Sequence, residues 1–111
     1  MRKERVASVL EREISNIVTR EINDPRLGFI TITNVDVSPD LKIAIVYFSS
    51  LDNKSESFKT LQRAKGYIRS ILAQRVRLRS IPDLMFKIDD SYEHGKKIDE
   101  LFKEISTDNK E

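Results

Sequence analysis

The chain has 111 residues, 39% of them hydrophobic and 34% charged, which is enough apolar material for one folded domain with a heavily solvated surface. It has no run of about 18 apolar residues, so we expect no membrane-spanning helix, and its charged start lacks the apolar stretch of a signal peptide. The chain also lacks cysteine, which excludes disulfides and thiolate metal sites and is consistent with a cytoplasmic location.

The first predicted element is an amphipathic helix that ends near Asn23. Asp24 precedes a proline and is therefore disfavoured in the helical conformation, and Gly28 lets the chain turn soon afterwards. The apolar residues of the helix recur at spacings of three and four and so line one face. They are Val6, Val9, Leu10, Ile14, Ile17 and Val18.

Two strands follow, at residues 29–37 and 42–50, and a proline turn at 38–41 joins them into an antiparallel hairpin. In the first strand the apolar side chains change parity between Ile32 and Val35, which either a bulge or a two-sided strand explains. In the second strand apolar residues occupy both faces, so we expect both faces to be covered.

A second helix is predicted from about Glu56 to Arg77, and Gly66 lies in its middle. Glycine in a helix interior costs about 1 kcal/mol relative to alanine. Either a bend that exposes the helix backbone or close packing against the sheet explains its presence. The buried row of this helix is predicted to be Phe58, Leu61, Ile68, Leu72 and Val76.

A short third strand is predicted at residues 84–88, and Ser91 caps a final helix. The apolar face of that helix consists of Ile98, Leu101, Phe102 and Ile105. We expect the domain to span residues 1–105. Residues 106–111 hold no apolar side chain and are expected to form a disordered tail.

The order helix, strand, strand, kinked helix, strand, helix predicts an α+β domain with its helices on one face of a three-stranded sheet. The long connection between the second and third strands allows these two to lie parallel, so a mixed sheet is expected. No internal repeat or linker interrupts this order.

The basic residues are concentrated in one part of the chain. Residues 57–82 carry seven basic and no acidic side chains, whereas the other 85 residues carry 13 basic and 18 acidic ones. Although the net charge is only +2, the charges are distributed unevenly along the sequence, which favours a polyanionic partner. Long cations on a rigid helix attract phosphates without regard to base sequence.

The predicted RNA contacts follow from the positions of these cations on the helix. At about 100° per residue, Lys59, Arg63 and Arg77 project within about 40° of one another, opposite the apolar row. Arg75 falls on the apolar side and must lie along it or past the regular helix. The predicted RNA-binding residues are Lys59, Arg63, Lys65, Gly66, Arg69, Arg75, Arg77 and Arg79. Additional candidate contacts are Arg2, Lys3, Arg5 and Arg26.

The sequence does not indicate a catalytic or metal-binding site. His94 stands near Asp89, Asp90 and Glu93, but it is the only histidine, and acidic residues at a helix start favour the helix dipole. We therefore expect no metal, cofactor or small-molecule substrate. A small hydrolase is disfavoured because the serines lack a nucleophile context. The main alternative to RNA binding is a protein-interaction module whose basic helix docks on an acidic protein.

Several separated motifs stand out in the chain. They are Glu-Ile-Asn-Asp-Pro-Arg-Leu-Gly at residues 21–28, Val-Ser-Pro-Asp-Leu at 37–41, Ala-Lys-Gly-Tyr-Ile-Arg at 64–69, and Arg-Leu-Arg at 77–79 followed by Ile-Pro-Asp-Leu at 81–84. In this order they resemble the ribosome-binding factor A family. The resemblance extends over nearly the whole chain.

The resemblance implies a KH-like domain of type II topology. In this family a helix kink replaces the glycine-rich nucleic-acid loop of other KH domains, and the residues that match the kink in this chain are Ala64, Lys65 and Gly66. It also implies a cytoplasmic, monomeric and non-enzymatic assembly factor that associates with no membrane. Such a factor binds the small ribosomal subunit and its ribosomal RNA, assists late maturation, including processing of the precursor's 5′ and 3′ ends, and is important in the cold.

Overall fold

In a computed structural model, which describes residues 3–89 and Ile105, the elements follow the predicted order. They are helix α1 (Lys3–Arg20), a 3₁₀ turn (Pro25–Leu27), strands β1 (Ile30–Val37) and β2 (Ile43–Ser50), helix α2 (Lys54–Arg75) and strand β3 (Asp83–Ile88). The predicted final helix and tail lie outside the described residues, apart from Ile105, which is helical. No described helix is long and apolar enough to cross a membrane.

A tight connection carries the chain from α1 to the sheet. Asp24 is extended (φ −129°, ψ 114°), as expected for a residue before proline, and its carboxylate caps the 3₁₀ turn by accepting the Arg26 backbone N–H at 2.9 Å. Gly28 adopts a φ of 69°, and a Cβ at this position would come within 2.7 Å of Oδ2 of Asp52. The positive φ therefore favours glycine at this point, and any larger side chain would also have to displace the Asp52 carboxylate.

The sheet is mixed, with β2 between the other two strands, as predicted. β1 and β2 pair antiparallel, and β2 and β3 pair parallel. The register between β1 and β2 shifts between Ile32 and Asn34, which identifies a β-bulge. Because of the bulge, Ile32, Val35 and Val37 all belong to the core. The bulge interpretation is confirmed, and the two-sided alternative for β1 is wrong.

The predicted turn at 38–41 is closed by a hydrogen bond from the Leu41 N–H to the Ser38 carbonyl at 2.9 Å. The Asp40 carboxylate accepts from the Ser38 hydroxyl at 2.7 Å and from the Lys42 N–H at 3.1 Å. These hydrogen bonds, the Ser38 hydroxyl foremost, hold the pKa of Asp40 below its ordinary value. Side-chain hydrogen bonds therefore fix the register of the hairpin from its turn.

Both described helices pack on one face of the sheet, as predicted. The central strand contributes Ala44, Val46 and Phe48, which are completely buried. The helices and β3 supply most of the remaining core. These side chains are Val6, Leu10, Ile14, Ile17 and Val18 from α1, Leu61, Ile68 and Leu72 from α2, and Leu84 and Phe86 from β3. Two residues predicted on apolar helix faces, Val9 and Phe58, are only half-buried.

α2 is shifted toward the N-terminus relative to its predicted range. Asn53 caps its start, because the side-chain oxygen accepts the Glu56 backbone N–H at 3.0 Å. At its other end Val76 is extended (φ −114°, ψ 132°), which lets this residue bury its side chain in the core. The prediction that the helix reaches Arg77 is wrong, and Arg77 lies with Arg79 in the connection to β3.

Candidate nucleic-acid interface

The seven cations of residues 57–82 divide into two groups according to their contacts. The first group is exposed and has no described carboxylate within 4.0 Å of its charged atoms, and we name it the free cations. The free cations are Lys59, Arg63, Arg77 and Arg79. Within this group, Nη2 of Arg63 donates to Oγ1 of Thr60, one turn earlier on the same helix, at 3.2 Å. The second group contacts residues that are distant in sequence, and we name it the engaged cations. The engaged cations are Lys65, Arg69 and Arg75.

Arg69 is the most firmly held of the engaged cations. Its Nε donates to the Pro82 carbonyl at 3.1 Å, and its Nη2 donates to the Ile81 carbonyl at 2.8 Å. The side chain is half-buried and joins α2 to the connection that leads into β3. Arg69 thus has a structural role in positioning this connection. Because a guanidinium has about five N–H donors, the Arg69 donors that are not used here stay available to another partner.

The other engaged cations form ion pairs. Nη2 of Arg75 lies 2.8 Å from Oε1 of Glu21, which joins the end of α2 to the residue that follows α1. Arg75 is the last residue of α2 and is exposed, so the alternative that it lies past the regular helix is wrong. Nζ of Lys65 lies 4.0 Å from Oδ1 of Asp83, a longer and solvent-screened contact.

The free cations form two pairs at opposite ends of α2. Lys59 and Arg63 are one turn apart near its start, and Arg77 and Arg79 follow its end. From Arg63 to the last residue of the helix is about 18 Å at the rise of an α-helix. The predicted single face of Lys59, Arg63 and Arg77 is wrong, because Arg77 is not on the helix. The free cations instead flank one uncharged surface of α2, and the engaged cations Lys65, Arg69 and Arg75 lie on the other sides of the helix.

The uncharged surface of α2 consists of small and polar side chains with one aromatic ring. Tyr67 is 51% exposed and is the large apolar residue on this surface. The sequence analysis did not single out Tyr67, because the three tyrosines of the chain are scattered along it. The helical repeat offered a signal, since Tyr67 projects about 40° from Arg63. The neighbours of Tyr67 on this surface are Gly66, Ser70, Ala73 and Gln74.

Gly66 faces open space. A Cβ at this position would meet no atom within 4 Å outside the adjoining backbone of its own helix. The explanation that this glycine allows close packing against the sheet is therefore wrong. α2 is one continuous helix across this position, and the bend at Ala64, Lys65 and Gly66 stays a prediction. The open side of the helix is compatible with close approach of a partner to its backbone.

Arg26 and the N-terminal cations differ in their availability. The Arg26 guanidinium donates to both carboxylate oxygens of Asp24, at 3.0 and 2.7 Å. These hydrogen bonds lower the pKa of Asp24 to about 2, with smaller contributions from the Arg26 and Arg63 charges. The charge of Arg26 is thus largely offset. Lys3 and Arg5 are exposed at the start of α1, and Arg2 lies outside the described residues.

The described residues show little that suggests chemistry. Among them, no cluster of three or more His, Asp or Glu side chains is arranged to hold a metal ion. His94, Asp90 and Glu93 lie outside the described part of the chain. An open cleft of about 610 Å³ lies between the end of α1 and the start of β1, and the only titratable residue in its lining is Asp24, which is already paired with Arg26.

Comparisons with known proteins give a consistent result. The sequence model of the family described as ribosome-binding factor A matches residues 2–102. A protein named ribosome-binding factor A from Natranaerobius thermophilus is 46% identical over 109 residues, which are 96% of this chain and 83% of the relative.

The solved structures agree with this match. The crystal structure of ribosome-binding factor A from Thermus thermophilus has a TM-score of 0.74 and 29% identity, and the likeness covers 78% of this chain and 93% of that one. A homology model of the Thermus thermophilus factor, fitted into a cryo-electron-microscopy map of a 30S complex, has a TM-score of 0.65 and 30% identity over 73% of this chain and 88% of that one. The predicted KH-like α+β fold is confirmed.

Proposed function

Because the chain belongs to the ribosome-binding factor A family, we propose that it binds the small ribosomal subunit through its ribosomal RNA and performs no reaction on it. The observation that carries the proposal is the acid-free stretch at residues 57–82, whose free cations surround an open helix surface. The structural relative fitted into a map of a 30S complex supports the same partner.

The free cations are the main phosphate contacts in this proposal. Lys59 and Arg63 are held on a helix that packs on the core, and Arg77 and Arg79 lie on a connection that Arg69 anchors. This support fixes the spacing between the two pairs before RNA binds. Each phosphate that such a side chain neutralises releases condensed counterions, which gives affinity without base readout.

Tyr67 and Gly66 supply the contact surface between the two pairs. An exposed aromatic ring next to cations can stack on an unpaired base, and the helix backbone at Gly66 is open to close approach. The engaged cations contribute less, since their charges are partly offset or their donors are partly used. Lys3, Arg5 and Arg2 stay as additional candidate contacts at the start of α1.

The family resemblance supports a more specific role in ribosome assembly. The protein acts on immature small subunits and assists late maturation of their ribosomal RNA, including processing of the precursor's 5′ and 3′ ends, with an importance that increases in the cold. It does so as a cytoplasmic monomer, without cofactor or small-molecule substrate.

Co-sedimentation tests the partner and the role together. The full chain is incubated with purified immature small subunits, mature small subunits and large subunits at several salt concentrations. We expect preferential sedimentation with immature small subunits and a steep loss as salt increases. Equal binding to small and large subunits would contradict the proposal. Binding that survives nuclease digestion of the RNA would favour the alternative, an acidic protein partner.

A further inference from the structure

The open cleft between the end of α1 and the start of β1 has the size of a ligand site, and we name it the α1–β1 cleft. Its volume of about 610 Å³ lies within the roughly 300–1,000 Å³ of pockets that hold small ligands. Its polar side chains are Thr19, Asn23 and Asp24. Apolar walls with a few polar groups are typical of a binding site. The apolar residues of the lining are Val18, Ile22, Pro25, Leu27, Phe29 and Ile30.

Phe29, which contributes to the lining, is an aromatic residue that the fold leaves uncovered. It is 74% exposed, and its neighbour Leu51 is 87% exposed. The Leu51 N–H donates to the Phe29 carbonyl at 3.0 Å, so the two residues stand side by side, although Leu51 does not belong to the cleft lining. Adjacent exposed apolar residues beside a cleft indicate a binding surface. The aromatic ring adds a flat face on which an unpaired base stacks.

Hydrogen bonds hold one wall of the cleft in place. The Ser57 hydroxyl on α2 donates to the Leu27 carbonyl at 2.7 Å, and Oδ2 of Asp52 accepts the Phe29 N–H at 3.0 Å. These bonds tie the residues before β1 to α2 and to the loop that leads into it. The backbone at Phe29 is therefore fixed before a ligand arrives, which reduces the entropy lost on binding.

The inside of the cleft favours hydrogen-bond donors over anions. The cleft lies at the C-terminal end of α1, where the last carbonyls point out of the helix and carry a partial negative charge. The Ile22 N–H donates to the Ile17 carbonyl at 3.3 Å and not to the Val18 carbonyl, its usual partner in an α-helix. A phosphate inside the cleft would be repelled, whereas the amino group of a base would find acceptors.

Cations lie outside the cleft, along its α2 side. The 3₁₀ turn packs on α2, and the charge of Arg63 is close enough to help lower the pKa of Asp24. Lys59 is one turn from Arg63 on the same helix. The phosphates of an RNA strand are therefore attracted beside the cleft and not into it. Acceptors inside and cations outside fit a nucleotide whose base enters the cleft while its phosphates stay near α2.

We propose that the α1–β1 cleft binds one unpaired nucleotide of the RNA, with the base stacked on Phe29 and an amino group of the base donating to acceptors at the end of α1. The site rests on the proposed function, in which RNA is the partner, and it extends the RNA path from Lys59 and Arg63 past the 3₁₀ turn. The Asn23 amide, which has both donors and an acceptor, supplies a further contact to the base edge. Cytosine, which has an amino group, is preferred over uracil, which has a carbonyl oxygen in its place.

Titration of the full chain, labelled with ¹⁵N, with two short single-stranded RNAs tests the cleft apart from the ribosomal subunit. The RNAs are pentamers of cytidine and of uridine, which carry the same phosphates and differ only in the base. We expect amide shifts at Asn23, Gly28 and Phe29 and tighter binding of the cytidine pentamer. Absence of shifts at these residues, or equal affinity for the two pentamers, would overturn the proposal and leave the proposed function standing.

Substitutions at Phe29 separate base stacking from docking of a protein. Phe29→Leu keeps an apolar side chain but loses the ring, so affinity for immature small subunits should decrease by roughly 5-fold or more. The salt slope should stay unchanged, because no cation is lost. Phe29→Tyr keeps the ring and should bind as the original chain does. Leu51→Ala is the matched control, since it is exposed and lies outside the lining, and it should also bind normally.

The opposite pattern of affinities would overturn the proposal. A protein docked on the exposed apolar pair would tolerate Phe29→Leu and lose affinity with Leu51→Ala. Unchanged affinity of all three variants would exclude stacking at Phe29. Because both residues are exposed, we expect the variants to fold. If the original chain bound no small subunits, the proposed function would fail, and the titration with the pentamers would still decide whether the cleft binds a base.

Discussion

The free and the engaged cations come from the same acid-free stretch, yet the structure gives them different roles. Arg63 and Arg77 are exposed and form no ion pair with a described carboxylate, whereas Arg69 donates to two carbonyls and Arg75 pairs with Glu21. A basic segment can therefore hold a domain together with some of its cations while it offers the others to a partner. Substitution of an engaged cation should mainly reduce stability, whereas substitution of a free cation should mainly reduce affinity for RNA.

The largest effect on stability is expected at Arg69. Arg69→Ala removes two hydrogen bonds from a charged, half-buried donor to the Ile81 and Pro82 carbonyls, and such bonds contribute roughly 1.5–3 kcal/mol each when not compensated by water. Urea unfolding should show a clear loss of stability. The control, Arg63→Ala, removes an exposed cation and should change stability by about 0.5 kcal/mol or less. Similar losses for both variants would break the distinction between the two groups.

Gly66→Ala should stabilise the free protein by about 0.4–1 kcal/mol, because alanine is the better helix former and its Cβ meets no neighbour. If RNA approaches the backbone at this position, affinity for small subunits should decrease although stability increases. Thermal unfolding and affinity are measured on the same preparation. A lower melting temperature would contradict the open environment, and a higher one with unchanged affinity would exclude the backbone contact.

The ion pair between Arg75 and Glu21 should contribute about 0–1 kcal/mol, since both side chains are more than a third exposed. A double-mutant cycle with Arg75→Gln and Glu21→Gln measures the coupling. We expect a small coupling that decreases with added salt. A coupling well above that range would mean that the end of α2 depends on this contact as strongly as it depends on Arg69.

The smallest effect is expected at Asp24, through pH. Its pKa is lowered to about 2 in the folded state by the Arg26 hydrogen bonds, so its contribution is present above the unfolded pKa of about 3.9 and is lost as the pH falls toward about 2. Asp24→Asn should therefore lose less stability than the original chain as the pH falls through this range. Stability measured between pH 5 and pH 2, against Asp52→Asn as a control at another exposed carboxylate, checks this. Identical acid profiles for Asp24→Asn and the original chain would contradict it.

Local signals in the sequence were sufficient for most of the fold. The turn at 38–41 and the order of the elements followed from proline, polar turn residues and apolar periodicity. The parity change in β1 revealed an irregularity but not its nature, because a bulge and a two-sided strand give the same pattern. The end of α2 was misplaced, since the extended conformation of Val76 depends on where the core accepts its side chain.

The candidate site was less predictable than the fold. The charge pattern identified the right stretch of chain, but it could not separate Arg69 from Arg63, because the Arg69 partners are carbonyls of Ile81 and Pro82 that approach only after the chain has folded back. It could also not reveal that a Cβ at Gly66 would have free space. Such properties depend on tertiary contacts between segments distant in sequence.

The salt dependence of binding to immature small subunits tests the central claim most directly. The test variant replaces the four free cations, Lys59, Arg63, Arg77 and Arg79, with glutamine. The matched control replaces four exposed cations elsewhere, Arg12, Arg20, Lys42 and Lys87, and so loses the same charge.

If the free cations bind phosphates, the slope of log affinity against log salt should flatten by about 3 units in the test variant, since each lost contact removes about 0.7–0.9. The control should keep nearly the original slope, and both variants should unfold at similar temperatures. Equal slopes and affinities for the test variant and the original chain would contradict the account.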